Sequence, residues 1–197
     1  MSRSPEPDLR RLILDTTRQL LTTDGYASLS MRRIARQIGY SATSIYLHYE
    51  NKDQLVHALI DEGVGMLHER LSKEVVPGHP EATLRALCAA YAAFGLEYPE
   101  YYEIMYILHT EYIERYPAEK YRRARQNLEF FARALTEGAE KGVFDGVNPL
   151  LGSTSIWAQL HGVVSLINGH RIDRKIEHAT LLQEVIERIV RGQKSLK

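Results

Sequence analysis

The sequence predicts an all-α chain of about nine helices, with an N-terminal three-helix head of helix-turn-helix form on a larger helical body. Three observations carry that prediction. Apolar residues recur every three to four positions through most of the chain, which is the spacing of one helix face. No stretch shows the period of two that a half-buried strand needs, and no internal repeat is present. Proline and glycine interrupt the periodic stretches at intervals suited to helices of ordinary length.

In chain order, residues 1–7 hold Pro5 and Pro7 and read as a disordered tail. A first helix runs from Asp8 on Leu9, Leu12, Ile13, Thr16 and Leu20 to a stop near Asp24 and Gly25. In the second, Met31, Ile34, Ala35 and Ile38 share one face while Arg32, Arg33, Arg36 and Gln37 lie outside. Gly39 sits at the left-handed position past a helix end, and Ser41 can cap a third helix over Ala42–Tyr49, whose Ile45 and Tyr49 turn inward. Asn51, with Gln54 three residues on, opens a long helix over residues 51–76, striped by Leu55, Leu59, Gly63, Leu67 and Leu71. Pro77, Gly78 and Pro80 end it.

The body continues with a helix over 81–98, carrying Leu84, Leu87, Cys88, Tyr91 and Phe94 inward, and a break at Pro99. A helix over 100–116 stops at Pro117, and one over 118–141 follows on Tyr121, Ala124, Leu128, Phe131 and Leu135. Gly142, Gly146 and Pro149 make the next connection. The helix over 150–168 is apolar on more than one face, and the last helix has a broad face of Leu181, Leu182, Val185, Ile186, Ile189 and Val190. The expected division is a DNA-binding head over 8–52, a connecting helix over 53–76 and a ligand-binding and dimerisation body over 77–197.

Charge and composition narrow the function. The net charge is zero, but residues 1–52 hold eight Lys and Arg against five Asp and Glu, and the remainder 17 against 20. The positive end is the head. Between Tyr26 and Tyr49 there are three arginines and no carboxylate to repel a phosphate backbone. Cys88 is the only cysteine, so neither an intrachain disulfide nor a cysteine zinc cluster can form. The N-terminus lacks the apolar core of a signal peptide and no apolar run of about 18 residues stands out, which predicts a soluble cytoplasmic protein without membrane contact. Gly-rich phosphate loops, G-x-S-x-G and H-E-x-x-H are missing, so no catalytic residue, cofactor or metal site is assigned.

The outward residues of the third helix are small or polar, as a helix entering a major groove requires. The run IARQIGYSATSIYLHYENKDQL resembles the helix-turn-helix of TetR-type transcriptional regulators: an apolar-alanine helix, a glycine turn, a serine cap, a Tyr-x-His-aromatic run and a lysine opening the fourth helix. The resemblance implies that Arg32 and Thr43 contact base edges or nearby phosphates, with Ala42 and Ser44 near the groove floor. It also implies that Tyr46, His48 and Lys52 contact phosphates; Arg33 and Ser41 complete the candidate DNA-binding set. Position 47 is leucine where some relatives carry a larger aromatic, and no contact is assigned there.

Eight of the twelve tyrosines fall between Tyr91 and Tyr121. Phe94, Tyr98, Tyr102, Tyr106, His109, Trp157 and His161 are the candidate wall of a pocket for a small hydrophobic or aromatic effector. Trp157, His161 and Gly162 are similar to a Trp-His-Gly signature of one TetR-type subgroup. Leu160, Val164, Ile167, Leu182, Ile186 and Ile189 are the candidate homodimer seam. The resulting expectation is a dimeric repressor released from a near-palindromic operator by its effector. The alternative is a small-molecule-binding or catalytic helical protein with a vestigial head.

Overall fold

The computed structural model describes residues 8–106, 118–146 and 148–194, and for 118–124 the backbone alone. Among the described residues there are nine helices and no strand. They are α1 (Leu9–Ser28), α2 (Met31–Ile38), α3 (Ala42–Tyr46), α4 (Lys52–Ser72), α5 (Pro80–Glu97), α6 (Pro99–Tyr106), α7 (Ala118–Glu140), α8 (Pro149–Asn168) and α9 (His178–Arg191). Backbone proximity groups them into two units, Met1–Gly63 with Glu100–Pro117, and Val64–Pro99 with Ala118–Lys197.

In the first unit the predicted Ser41 cap is in place, and Ser30 caps α2 in the same way. Ser30 Oγ accepts from Arg33 N at 3.2 Å, and Ser41 Oγ accepts from Ser44 N at 3.1 Å. Gly39 between them has φ +75°, a conformation that costs a residue with a Cβ about 1–2 kcal/mol. α1 keeps its regular course to Gly25, itself at φ +75°, before a last turn to Ser28. Ile13, Ile34, Ile45, Leu55, Val56 and Leu59 have no solvent exposure, so the inward stripes read from the sequence meet in one core. Each such side chain contributes roughly 1.5–3 kcal/mol by leaving water.

Two details differ from expectation. α3 ends at Tyr46 rather than Tyr49, because Ile45 O accepts both His48 N (3.0 Å) and Tyr49 N (3.1 Å) as the chain turns to bury the Tyr49 ring. The box at the start of α4 closes one residue early: Asn51 Oδ1 accepts from Gln54 N at 2.9 Å, but Gln54 Oε1 reaches Glu50 N at 3.0 Å. Further along, Arg11 pairs with Asp15 and Glu62, and Arg18 with Asp15 and Glu100, while the Arg18 guanidinium lies 5.1 Å from the Tyr101 ring centroid. Burial lifts the Asp15 carboxyl, and the two guanidiniums outweigh that and hold it below its ordinary range. At Gly63 a Cβ would stand 2.5 Å from Met105 Sδ and 3.3 Å from Tyr101 Cδ1, so α6 approaches α4 where α4 has no side chain.

In the second unit Pro80 opens α5 instead of ending the helix before it; Pro99 and Pro149 likewise open α6 and α8. Proline suits these first positions because their N–H groups have no partner within the helix. Asn148 Oδ1 caps α8 by accepting from Leu150 N and Leu151 N. The interior is built from Leu84, Leu87, Tyr91 and Phe94 of α5, Phe131 and Leu135 of α7, Ile156, Leu160 and Val164 of α8, and Ile189 and Val190 of α9. Asn127, 5% exposed, joins α7 to α4: its Oδ1 lies 3.0 Å from His68 Nδ1 and its Nδ2 donates to Val64 O at 3.2 Å. Cys88 is buried, and burial pushes its thiol up to about 12, leaving it protonated and inert.

α8 corrects a sequence expectation. Its twenty residues include no Asp, Glu, Lys or Arg, and it is long and apolar enough to cross a membrane, with a mean hydropathy of 1.3. Serine, threonine and glycine dilute its apolar residues, so no continuous run shows in the sequence. One side of the helix packs on α5, α7 and α9; the other exposes Leu150, Leu151 and Leu166. The predicted seam residues divide by burial. Leu160, Val164, Ile167 and Ile189 are all at most 6% exposed and belong to the protomer's own core, while Leu182 and Ile186 stay half-exposed. Both sides of α8 carry leucines, the outer one mixed with exposed Thr154, Ser155 and Gln159, and periodicity cannot tell which of them is covered from within.

Candidate functional site

The head exposes Thr43 and Tyr46 of α3, Leu47 and His48 directly after it, and Arg32 and Arg36 of α2. Ala42 is half-buried. Other predicted contacts are already engaged. Ser41 Oγ and Ser44 Oγ lie 2.9 Å apart and bond each other, and Arg33 pairs with Asp24 while reaching Ser28 O. Lys52 is held at the N-terminus of α4 with its Nζ 4.0 Å from the centroid of the Tyr26 ring. The Tyr26 hydroxyl donates to Asp53, and burial first, then Asp53, holds its proton above the ordinary phenol range. A cation at a helix N-terminus opposes the helix dipole, and the ring face offsets that cost. Arg10 similarly donates to Tyr49 OH at 3.2 Å.

Sequence reasoning missed Tyr26 and Arg10, since neither role carries a periodic signal; only the fold brings residue 26 to residue 52.

The predicted effector residues form ring pairs. Within the second unit, Phe94 and Tyr98 have centroids 5.6 Å apart and Trp157 and His161 5.5 Å. Trp157 Nε1 also donates to Tyr91 OH at 3.0 Å, so Tyr91, read from the sequence as an inward residue of its helix and not named in the pocket wall, joins that cluster. Burial lowers the His161 pKa from 6.5 and favours its neutral form. Within the first unit Tyr102 and Tyr106 meet edge to face at 5.0 Å. His109 lies outside the described residues. A separate cavity of about 460 Å³ opens between α5 and α9, walled by Arg85, Ala89, Ala92, Ala93, Leu182 and Ile186 among others. It includes two of the predicted seam residues and none of the predicted effector residues.

An eight-residue basic helix, a left-handed glycine and a short capped helix with an uncharged outward face define a helix-turn-helix unit. Comparison with known proteins gives the family. Residues 13–59 match the model for bacterial regulatory proteins of the tetR family, and residues 84–189 match a tetracyclin repressor-like C-terminal domain. The chain belongs to the TetR family of transcriptional regulators. The C-terminal match names no subgroup, so the Trp-His-Gly signature stands as a resemblance.

Among curated relatives, the fatty acid metabolism regulator protein of Bacillus subtilis (strain 168) is 29% identical over 63 residues, 32% of this chain and 32% of the relative. The matched stretch thus spans about a third of that relative's length. A TetR-family bacterial regulatory protein from Rhodococcus RHA1 superposes with a TM-score of 0.81 at 17% identity, covering 98% of this chain and 100% of that one. AibR, solved in complex with isovaleryl coenzyme A and operator DNA, gives 0.73 at 20% identity over 90% and 95%. At these identities the structures share the fold.

Proposed function

We propose that the protein is a homodimeric repressor in the cytoplasm that binds a near-palindromic operator and leaves it when a small hydrophobic effector binds the body. The observation that carries the reading is the outward face of α2 and α3, exposed, cationic and free of carboxylates, over an inward face whose Met31, Ile34, Ala35 and Ile45 are buried. Arg32 and Thr43 read base edges, with Ala42 near the groove floor. Tyr46, His48 and Lys52 hold phosphates. Arg33, Ser41 and Ser44 act chiefly by fixing the head's own geometry. Residues 8–52 serve as the reading head, 53–76 as the connecting helix and 77–197 as the body.

Two copies meet through the uncovered face of α8, with Leu151 and Leu166, and through Leu182 and Ile186 of α9. That pairing hides apolar surface one protomer leaves in water and sets two heads for grooves ~34–36 Å apart or a multiple of it. The effector binds beside Tyr91, Trp157 and His161, whose rings and polar tips suit an amphipathic molecule. Acyl thioesters are the first compounds to try, given the ligand named for AibR. The role is regulation and not catalysis, in keeping with the family.

A salt-titrated mobility shift with fragmented genomic DNA tests the head: a retained fragment whose affinity falls steeply with salt is expected. Trp157, the only tryptophan, then reports effector binding by fluorescence. An effector that weakens operator binding ~100-fold must bind the DNA complex ~100-fold more weakly, a coupling of about 2.7 kcal/mol. Ligands that shift Trp157 fluorescence equally with and without operator would remove the switch from this site.

A further inference from the structure

Leu47 is the most exposed large apolar side chain among the described residues, with 81% of its surface in water. It directly follows α3 in helical backbone, φ −68° and ψ −21°, and its N–H bonds Thr43 O at 3.1 Å. Leu47 therefore stands one turn from Thr43 and beside Tyr46, itself 53% exposed, on the outward face of the head. Its inward neighbours Ile45 and Tyr49 are buried, so the core has no use for it. A butyl group has no donor or acceptor for a phosphate oxygen or a base edge. The one apolar group that a base pair offers in the major groove is the C5-methyl of thymine.

We propose that Leu47 is a specificity residue that packs on a thymine methyl in each operator half-site. The proposal rests on the DNA-reading role assigned to the head above. The partner is nucleic acid and not another protein because the surrounding window, Tyr26 to Tyr49, carries three arginines and no carboxylate. Such a window complements phosphates. Thr43 and Tyr46 on the same face supply the hydrogen bonds, and Leu47 adds a preference for thymine over cytosine that hydrogen bonds at that position do not supply.

The test uses the full-length protein and an operator selected from a random duplex pool. Each thymine is replaced in turn by deoxyuridine, which keeps its base pairing and removes only the methyl group. Wild-type affinity is expected to fall roughly fourfold per half-site at one symmetric thymine position, the factor expected for one buried methyl. In Leu47→Ala the same replacement costs nothing, and in Leu47→Met, which keeps an apolar contact, the cost returns. The dependence of affinity on salt is unchanged in both variants, since no phosphate contact is lost.

Equal weakening of Leu47→Ala on thymine and deoxyuridine operators would overturn the proposal in favour of a sugar-backbone contact. No weakening at all would take Leu47 out of the interface. A pool from which no duplex is selected would instead overturn the DNA-reading role of the head itself.

Discussion

The outward face of α3 and the outer side of α8 both leave leucines in water, yet they are built for different partners. Leu47 directly follows a five-residue helix that exposes Thr43 and Tyr46, in a head whose α2 exposes Arg32 and Arg36. Leu151 and Leu166 stand on a twenty-residue helix without an Asp, Glu, Lys or Arg. An exposed leucine by itself is ordinary on a protein surface, so its meaning comes from its surroundings. The charge around it says what: cations with a single leucine suit a polyanion that offers an occasional methyl, and a long neutral face suits a copy of itself.

Breaking the α8 face should have the largest consequence. Leu151→Glu with Leu166→Glu alters exposed positions, so the fold should persist while the protein sediments as a monomer. Operator affinity should drop roughly 100-fold or more, because a lone head gives up the second half-site. A dimer that survives both charges would place the seam elsewhere. The inner side of the same helix gives the contrasting case. Leu160→Ala, at a position without exposure, should lower unfolding free energy by about 2–5 kcal/mol in denaturant titration and leave self-association at native concentrations unaltered.

On the head, Lys52→Ala should weaken binding to all sequences alike and reduce the salt slope by ~1 per half-site. An unchanged slope in filter binding would mean that the cation over Tyr26 stays with the ring. The smallest effect concerns His161. Burial holds its folded pKa below 6.5, so between that value and about 6.5 the unfolded chain binds more protons and stability rises with pH. Acidification through 6.5 should therefore lower the melting temperature of the wild type more than that of His161→Gln. A gap between the two that is constant from pH 7.5 to 5.5 would exclude this titration.

Much of this protein is determined locally and so was readable from the sequence alone. Gly39 and Ser41 fix the head's turn because a cap and a left-handed residue act within three or four positions. The stripes of α4 and α5 identify core residues because helical spacing gathers them on one side. What only tertiary structure decided depends on residues far apart in sequence. Which apolar face of α8 is covered follows from where α5, α7 and α9 pack, so Leu160, Val164 and Ile167 became core while Leu151 and Leu166 stayed outside. Tyr26 under Lys52, Tyr91 against Trp157 and Asn127 between α7 and α4 join positions 26, 66 and 63 residues apart. No local period encodes such pairs, since it is the packing of whole helices that sets which side chains meet.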